Sequence, residues 1–231
     1  MTLTAAEWSA VALSLKIGLV AVLCTLPIAF ALAWLLARHR FPGKILVDAL
    51  VHLPLVLPPV VLGWLLLVLF SRSGPLGAWL EDWFGISLMF RWTGAAVAAG
   101  VMALPLMVRA IRLSLEAVDR RLEQAARTCG ATRWRTYLTI TIPLSLPGIA
   151  AGAMLGFARS VGEFGATITF VSNIPGETRT LPLAIYAELQ VPGAEGAVTR
   201  LAILSVLLSV GALLASEWLT RRGRGKDAHV L

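Results

Sequence analysis

The chain has 231 residues, 58% of them hydrophobic and 14% charged, with a net charge of +7. A mean hydropathy of +0.80 leaves too little polar sequence to surround a soluble core, which excludes an ordinary globular enzyme and points to a polytopic membrane protein. The positive balance does not describe a nucleic-acid binder, because the basic residues sit at the ends of apolar runs and not along one amphipathic face.

A bilayer core about 30 Å thick needs ~20 apolar residues of helix. Segments 11–37, 45–70, 92–113, 142–171 and 201–219 meet that length, so the expected fold is an all-α integral membrane protein with five spans. The leader MTLTAAEW carries no Lys or Arg and one Glu, where a cleaved signal would need a basic start, so the first segment is expected to stay as a span. Cys24 in that segment and Cys129 in a later basic loop supply neither a disulfide framework nor metal-ligand spacing. No metal and no cofactor is expected.

Lys and Arg set the orientation. Arg38, Arg40 and Lys44 follow the first segment, and Arg109 and Arg112 close the third. Arg120, Arg121, Arg127, Arg133 and Arg135 fill the loop 114–141, and Arg221, Arg222, Arg224 and Lys226 form the tail. The remaining loops hold Arg72, Arg91, Arg179 and Arg200, balanced by acids such as Glu81, Asp82, Glu177 and Glu195. The three basic regions share one side if five helices are crossed with the N-terminus outside.

The second segment contains HLPLVLPP, with Pro54, Pro58 and Pro59. Each proline lacks an N–H and clashes with the carbonyl four residues earlier, and Pro105 does the same in the third segment. Two readings stand for the triple: a packing kink or a hinge. Asp48 and His52, one turn apart, suggest a proton relay or a capping role at the water-accessible end of the segment, and capping suits that position better.

No P-loop is present, since the tail GRGKD lacks the rest of the motif, and neither H-E-x-x-H nor a nucleophile elbow occurs. The chain is therefore expected to move on another protein's energy and to be no enzyme itself. A self-sufficient secondary transporter or channel would show deep ionisable residues and inverted repeats.

Between Glu123 and Pro143 the sequence turns polar. Leu122, Ala125, Ala126 and Cys129 recur at helical spacing as a stripe of small apolar side chains among arginines, and Gly130 ends that helix. Small residues let a partner's backbone approach, while Trp134 and Tyr137 equally suit a connector lying on anionic lipid. The run QAARTCG-x9-ITIP resembles the cytoplasmic loop of ATP-binding-cassette importer permeases, roughly E-A-A, three residues, Gly, nine residues, I-x-L-P. Ala125, Ala126, Gly130, Ile140 and Pro143 match it, with Gln124 at the usual Glu position, Glu123 one place earlier, and Ile142 for Leu. The resemblance implies a type I importer permease fold in which this loop is a coupling helix between helices 3 and 4, docking into a cytoplasmic ATP-binding subunit.

RSVGEFGATITFVSNIPGETRTLPLAIY, HLPLVLPPVVLGW, FPGK, ALPLMVRAIR and SEWL further resemble the molybdate-type permeases, with tungstate and sulfate permeases as near relatives. That likeness implies a homodimer in the bacterial cytoplasmic (inner) membrane. It also implies two ATP-binding subunits, an extracytoplasmic molybdate-binding protein and an oxyanion substrate. Arg159 and Glu163 are expected about 24 and 30 Å along the fourth helix, near the outer face, as a mutually neutralising i,i+4 pair. Gly156, Gly162 and Gly165 are expected at close helix contacts. Ser160, Glu163, Thr167, Thr169, Ser172 and Asn173 are the candidate outer gate, because neutral donors hold a divalent oxyanion weakly enough to release it.

Overall fold

Helix α1 (Ala5–Arg38) begins with a capping box, Thr4 and Glu7 each bonding the other's backbone N–H. Its 34 residues span about 51 Å, more than the roughly 30 Å of a bilayer core. A computed structural model describes residues 4–227, without the side chains at 212, 213 and 215–227. The basic tail from Arg221 to Lys226 therefore has no described side chains.

The expected second segment is divided. Helices α2 (Lys44–Val56) and α3 (Pro59–Phe70) meet at 113° across Leu57 and Pro58. Pro59 opens α3, where a missing N–H costs nothing, whereas Pro54 is accommodated inside α2. A short helix α4 (Pro75–Phe84) follows, then α5 (Trp92–Ala117). Pro105 does not break α5, which runs past the expected end at 113. The proline is buried, with α1 and α8 packed along α5, and neighbours of this kind are what let membrane helices retain proline.

After α5 come α6 (Arg120–Thr128), the single turn α7 (Arg133–Thr136), a π-helical turn (Tyr137–Thr141) and α8 (Ile142–Val161). The fourth expected segment is also divided, because α8 stops before Gly162 and α9 (Gly165–Val171) starts anew. Glu163 thus lies in a break, not 30 Å along one helix. Helices α10 (Leu181–Glu188) and α11 (Glu195–Asp227) complete the chain, and α10 falls where a loop was expected.

Helix α5 is the centre. Its first half, an Ala/Gly run, packs with Ile17 and Ala21 of α1, Leu62 and Leu66 of α3, and Phe170 of α9. Its second half packs with Ala29, Ala33 and Leu36 of α1 and Val51 of α2. Small residues set the spacing: Gly156 of α8 leaves no room for a Cβ beside the Met107 sulfur. Gly165 does the same against Pro59, but Gly162 meets only its own helix, so its role is the end of α8 rather than close packing.

Ion pairs sort the two ends. Arg38 meets Glu123 at 2.7 Å and Arg112 meets Asp48 at 3.1 Å, gathering the end of α1, the start of α2, the end of α5 and α6. At the other end Arg200 of α11 meets Glu7 at 2.8 Å. Ile45, Val56, Val60 and Trp64 on α2 and α3 are exposed apolar side chains, as expected of surfaces that meet lipid or a second copy.

Candidate functional site

Helix α6 has no buried residue. Asp119 caps it by accepting the Arg121 N–H at 2.8 Å. At its far end Gly130 takes φ +87 while the Ala131 N–H bonds the Ala126 carbonyl, the left-handed stop that glycine adopts without strain. Leu122, Gln124, Ala125 and Cys129 are exposed and Ala126 is half-buried, so the small apolar stripe lies open on the surface. Glu123 is different. Its carboxylate turns back into the chain, taking hydrogen bonds from Arg38 and from the Thr141 hydroxyl, 2.7 and 2.8 Å away.

That second bond depends on the π turn, closed by the Ile142 N–H to the Tyr137 carbonyl. In a plain α-helix the ring of Pro143 would press on the Thr139 carbonyl, and the wider turn relieves this. Ile140 is half-buried in the turn and Pro143 exposed just after it. From Arg133 to Val161 the path is helical throughout, so α7, the π turn and α8 form one continuous rod.

The far end of that rod is the candidate gate segment. Arg159 and Glu163 pair at 2.6 Å, and Glu163, only 3% exposed, also accepts the Ala166 N–H at 2.9 Å. It neutralises Arg159 and caps α9. Ser160 and Thr167 are buried, and the Thr169 hydroxyl bonds the Gly165 carbonyl. Asn173 bonds the Leu183 carbonyl through its amide and accepts Arg179 through its oxygen. Ser172 is exposed at φ +65, its carbonyl held by the Thr178 hydroxyl. Of the six candidate residues, this chain presents Ser172 alone fully to its surface.

Pro59 of the triple proline lies beside the same segment. An ideal Cβ on Gly63 of α3 would come 2.6 Å from the Ala166 carbonyl, and one on Gly165 would meet Pro59 at 2.7 Å. Sequence reading missed the Asp48–Arg112 and Glu7–Arg200 pairs, in which the partners stand 64 and 193 residues apart. It also missed Ser14, whose hydroxyl accepts the Leu181 N–H at 2.6 Å. In Asp48 the carboxylate bridges to α5, while His52 sits against the Asp48 carbonyl at 2.8 Å.

A bent all-helical bundle around one small-residue helix, with an exposed polar loop, is the architecture of type I importer permeases. Residues 7–225 match the family described as binding-protein-dependent transport system inner membrane component, and the chain belongs to that family of multi-pass inner-membrane proteins. It is 62% identical over 224 residues to the molybdenum transport system permease protein ModB of Escherichia coli (strain K12), covering 97% of this chain and 98% of the relative. The sulfate transport system permease protein CysT of the same organism is 41% identical over 186 residues, covering 79% of this chain and 65% of that one. Among solved structures, a chain of a bacterial alginate ABC transporter in complex with its alginate pentasaccharide-bound periplasmic protein superposes with a TM-score of 0.74 at 18% identity. That match covers 95% of this chain and 80% of that one, a likeness of fold.

Proposed function

We propose that this chain is the membrane-spanning subunit of an ATP-driven importer that carries molybdate from an extracytoplasmic binding protein into the cytoplasm. The near-full-length identity to a molybdenum transport permease carries the reading, since it stands well above the identity to the sulfate permease. The chain works as a homodimer with two ATP-binding subunits. ATP hydrolysis belongs to those subunits and not to this chain. Its five segments cross with the N-terminus outside, which places the cluster of Arg38, Arg112 and α6 in the cytoplasm.

On this reading the exposed face of α6, with Gln124, Ala125, Ala126 and Gly130, seats against the ATP-binding subunit. Glu123 and Thr141 then pass its movement to α8. At the far end α3 and α9 pack as one unit behind the breaks at Pro58 and at Gly162. Tilting that unit opens the segment from Ser160 to Asn173 to the anion, with the proline triple as hinge. Neutral hydroxyl and amide donors bind a divalent oxyanion without trapping it.

The test is ATPase activity of the complex reconstituted with its binding protein loaded with molybdate, tungstate or sulfate. Molybdate-loaded protein should stimulate hydrolysis about tenfold over the unloaded protein. Equal stimulation by sulfate would overturn the substrate assignment, and no stimulation by any of the three would overturn the importer reading.

A further inference from the structure

A cavity of about 390 Å³ lies between the end of α1, α6 and the π turn, bordered by Trp34, Arg38, Arg120, Arg127, Arg133 and Thr136. Its size falls at the lower end of the roughly 300–1,000 Å³ usual for small-molecule pockets. Glu123 is the one carboxylate on the wall, and it is already neutralised by Arg38 at 2.7 Å. Arg120, Arg127 and Arg133 have no ion-pair partner among the described residues. Thr136, 4% exposed, also borders the cavity, but its hydroxyl oxygen is buried away from the open space. Trp34 and Tyr137, edge to face at 5.9 Å, close one side and mark the level where membrane meets water.

The geometry points to a binding site for a tetrahedral oxyanion of the phosphate class in this cavity, held by Arg120, Arg127 and Arg133. Guanidinium forks match such oxygens two at a time. An occupant would bridge α6 to the π turn, stiffening the joint through which α6 acts on α8. The anion has two sources, a free cytoplasmic oxyanion or the phosphate of an anionic lipid headgroup. The site does not depend on which substrate the transporter carries, and its test measures no transport, so either conclusion can fail alone.

The full-length chain is placed without its ATP-binding subunits in phosphatidylcholine nanodiscs, and its melting temperature is followed while inorganic phosphate or molybdate is added. A free-anion site raises it by about 3 °C at saturation. A lipid site gives that rise on replacing part of the phosphatidylcholine by phosphatidylglycerol, with no further response to phosphate. In both cases the double variant Arg127→Gln/Arg133→Gln should lose the response. Thr136→Val, which removes no group that faces the cavity, should keep it. No response in either arm overturns the proposal, as does a response that the double variant retains.

Discussion

The chain interrupts two of its membrane helices, and the two breaks are built differently. Between α2 and α3 the interruption is made by the backbone: Pro58 and Pro59 remove two donors, and α3 begins at Pro59, where none is needed. Between α8 and α9 no proline is involved. Gly162 ends α8, and a buried carboxylate, Glu163, starts α9 by taking the Ala166 N–H while holding Arg159. The first break is fixed by covalent chemistry and the second by a hydrogen-bond network that can be dismantled. They are also coupled, since Gly63 of α3 lies against Ala166 of α9 and Gly165 against Pro59. Packed together, the two corners tie α3 to α9.

The contact between them offers the largest perturbation. Gly63→Val forces a branched side chain against the Ala166 carbonyl and should cost about 3 kcal/mol or more. It would appear as a loss of folded protein in size-exclusion chromatography of solubilised membranes. A normal yield and melting temperature would mean that α3 and α9 are not packed as described. Glu163→Ala comes next, at about 2–3 kcal/mol, because it removes the cap and leaves Arg159 without its partner. Glu163→Gln keeps an acceptor for the Ala166 N–H and should cost only about half as much. If both variants melt alike, the carboxylate contributes charge alone and the cap is irrelevant. The smallest effect is expected at Pro58→Ala, below about 1 kcal/mol, since α9 and the neighbouring Pro59 still hold the corner. A marked rise in protease sensitivity between α2 and α3 would show instead that this proline alone maintains the bend.

Much of the site was legible because its signals are local. Gly130 stops α6 at the residue where the motif spacing puts a glycine, and Pro143 lies at the head of α8. The Arg159–Glu163 pair forms as the i,i+4 spacing implies. Glu123 was legible as part of the motif but not as a residue that turns inward, because Arg38 approaches it from 85 positions away. The division at Gly162 was hidden for a similar reason: VGEFGA reads as an apolar helix with small residues until the depth of Glu163 is known. Pro105 misled in the opposite sense, since burial against neighbouring helices preserved a helix that the local rule would end.

By itself the sequence determined the apolar segments, the clustering of basic residues at their ends, the glycine-stopped loop motif and the family. All of these follow from composition and short-range spacing, which folding cannot alter. Tertiary structure decided which breaks face each other, which carboxylates are tied inward and where arginines are left without partners around a cavity. Those outcomes depend on side chains tens to hundreds of residues apart meeting in a medium of low dielectric, where an unpaired charge or donor is expensive, and no local pattern encodes that meeting.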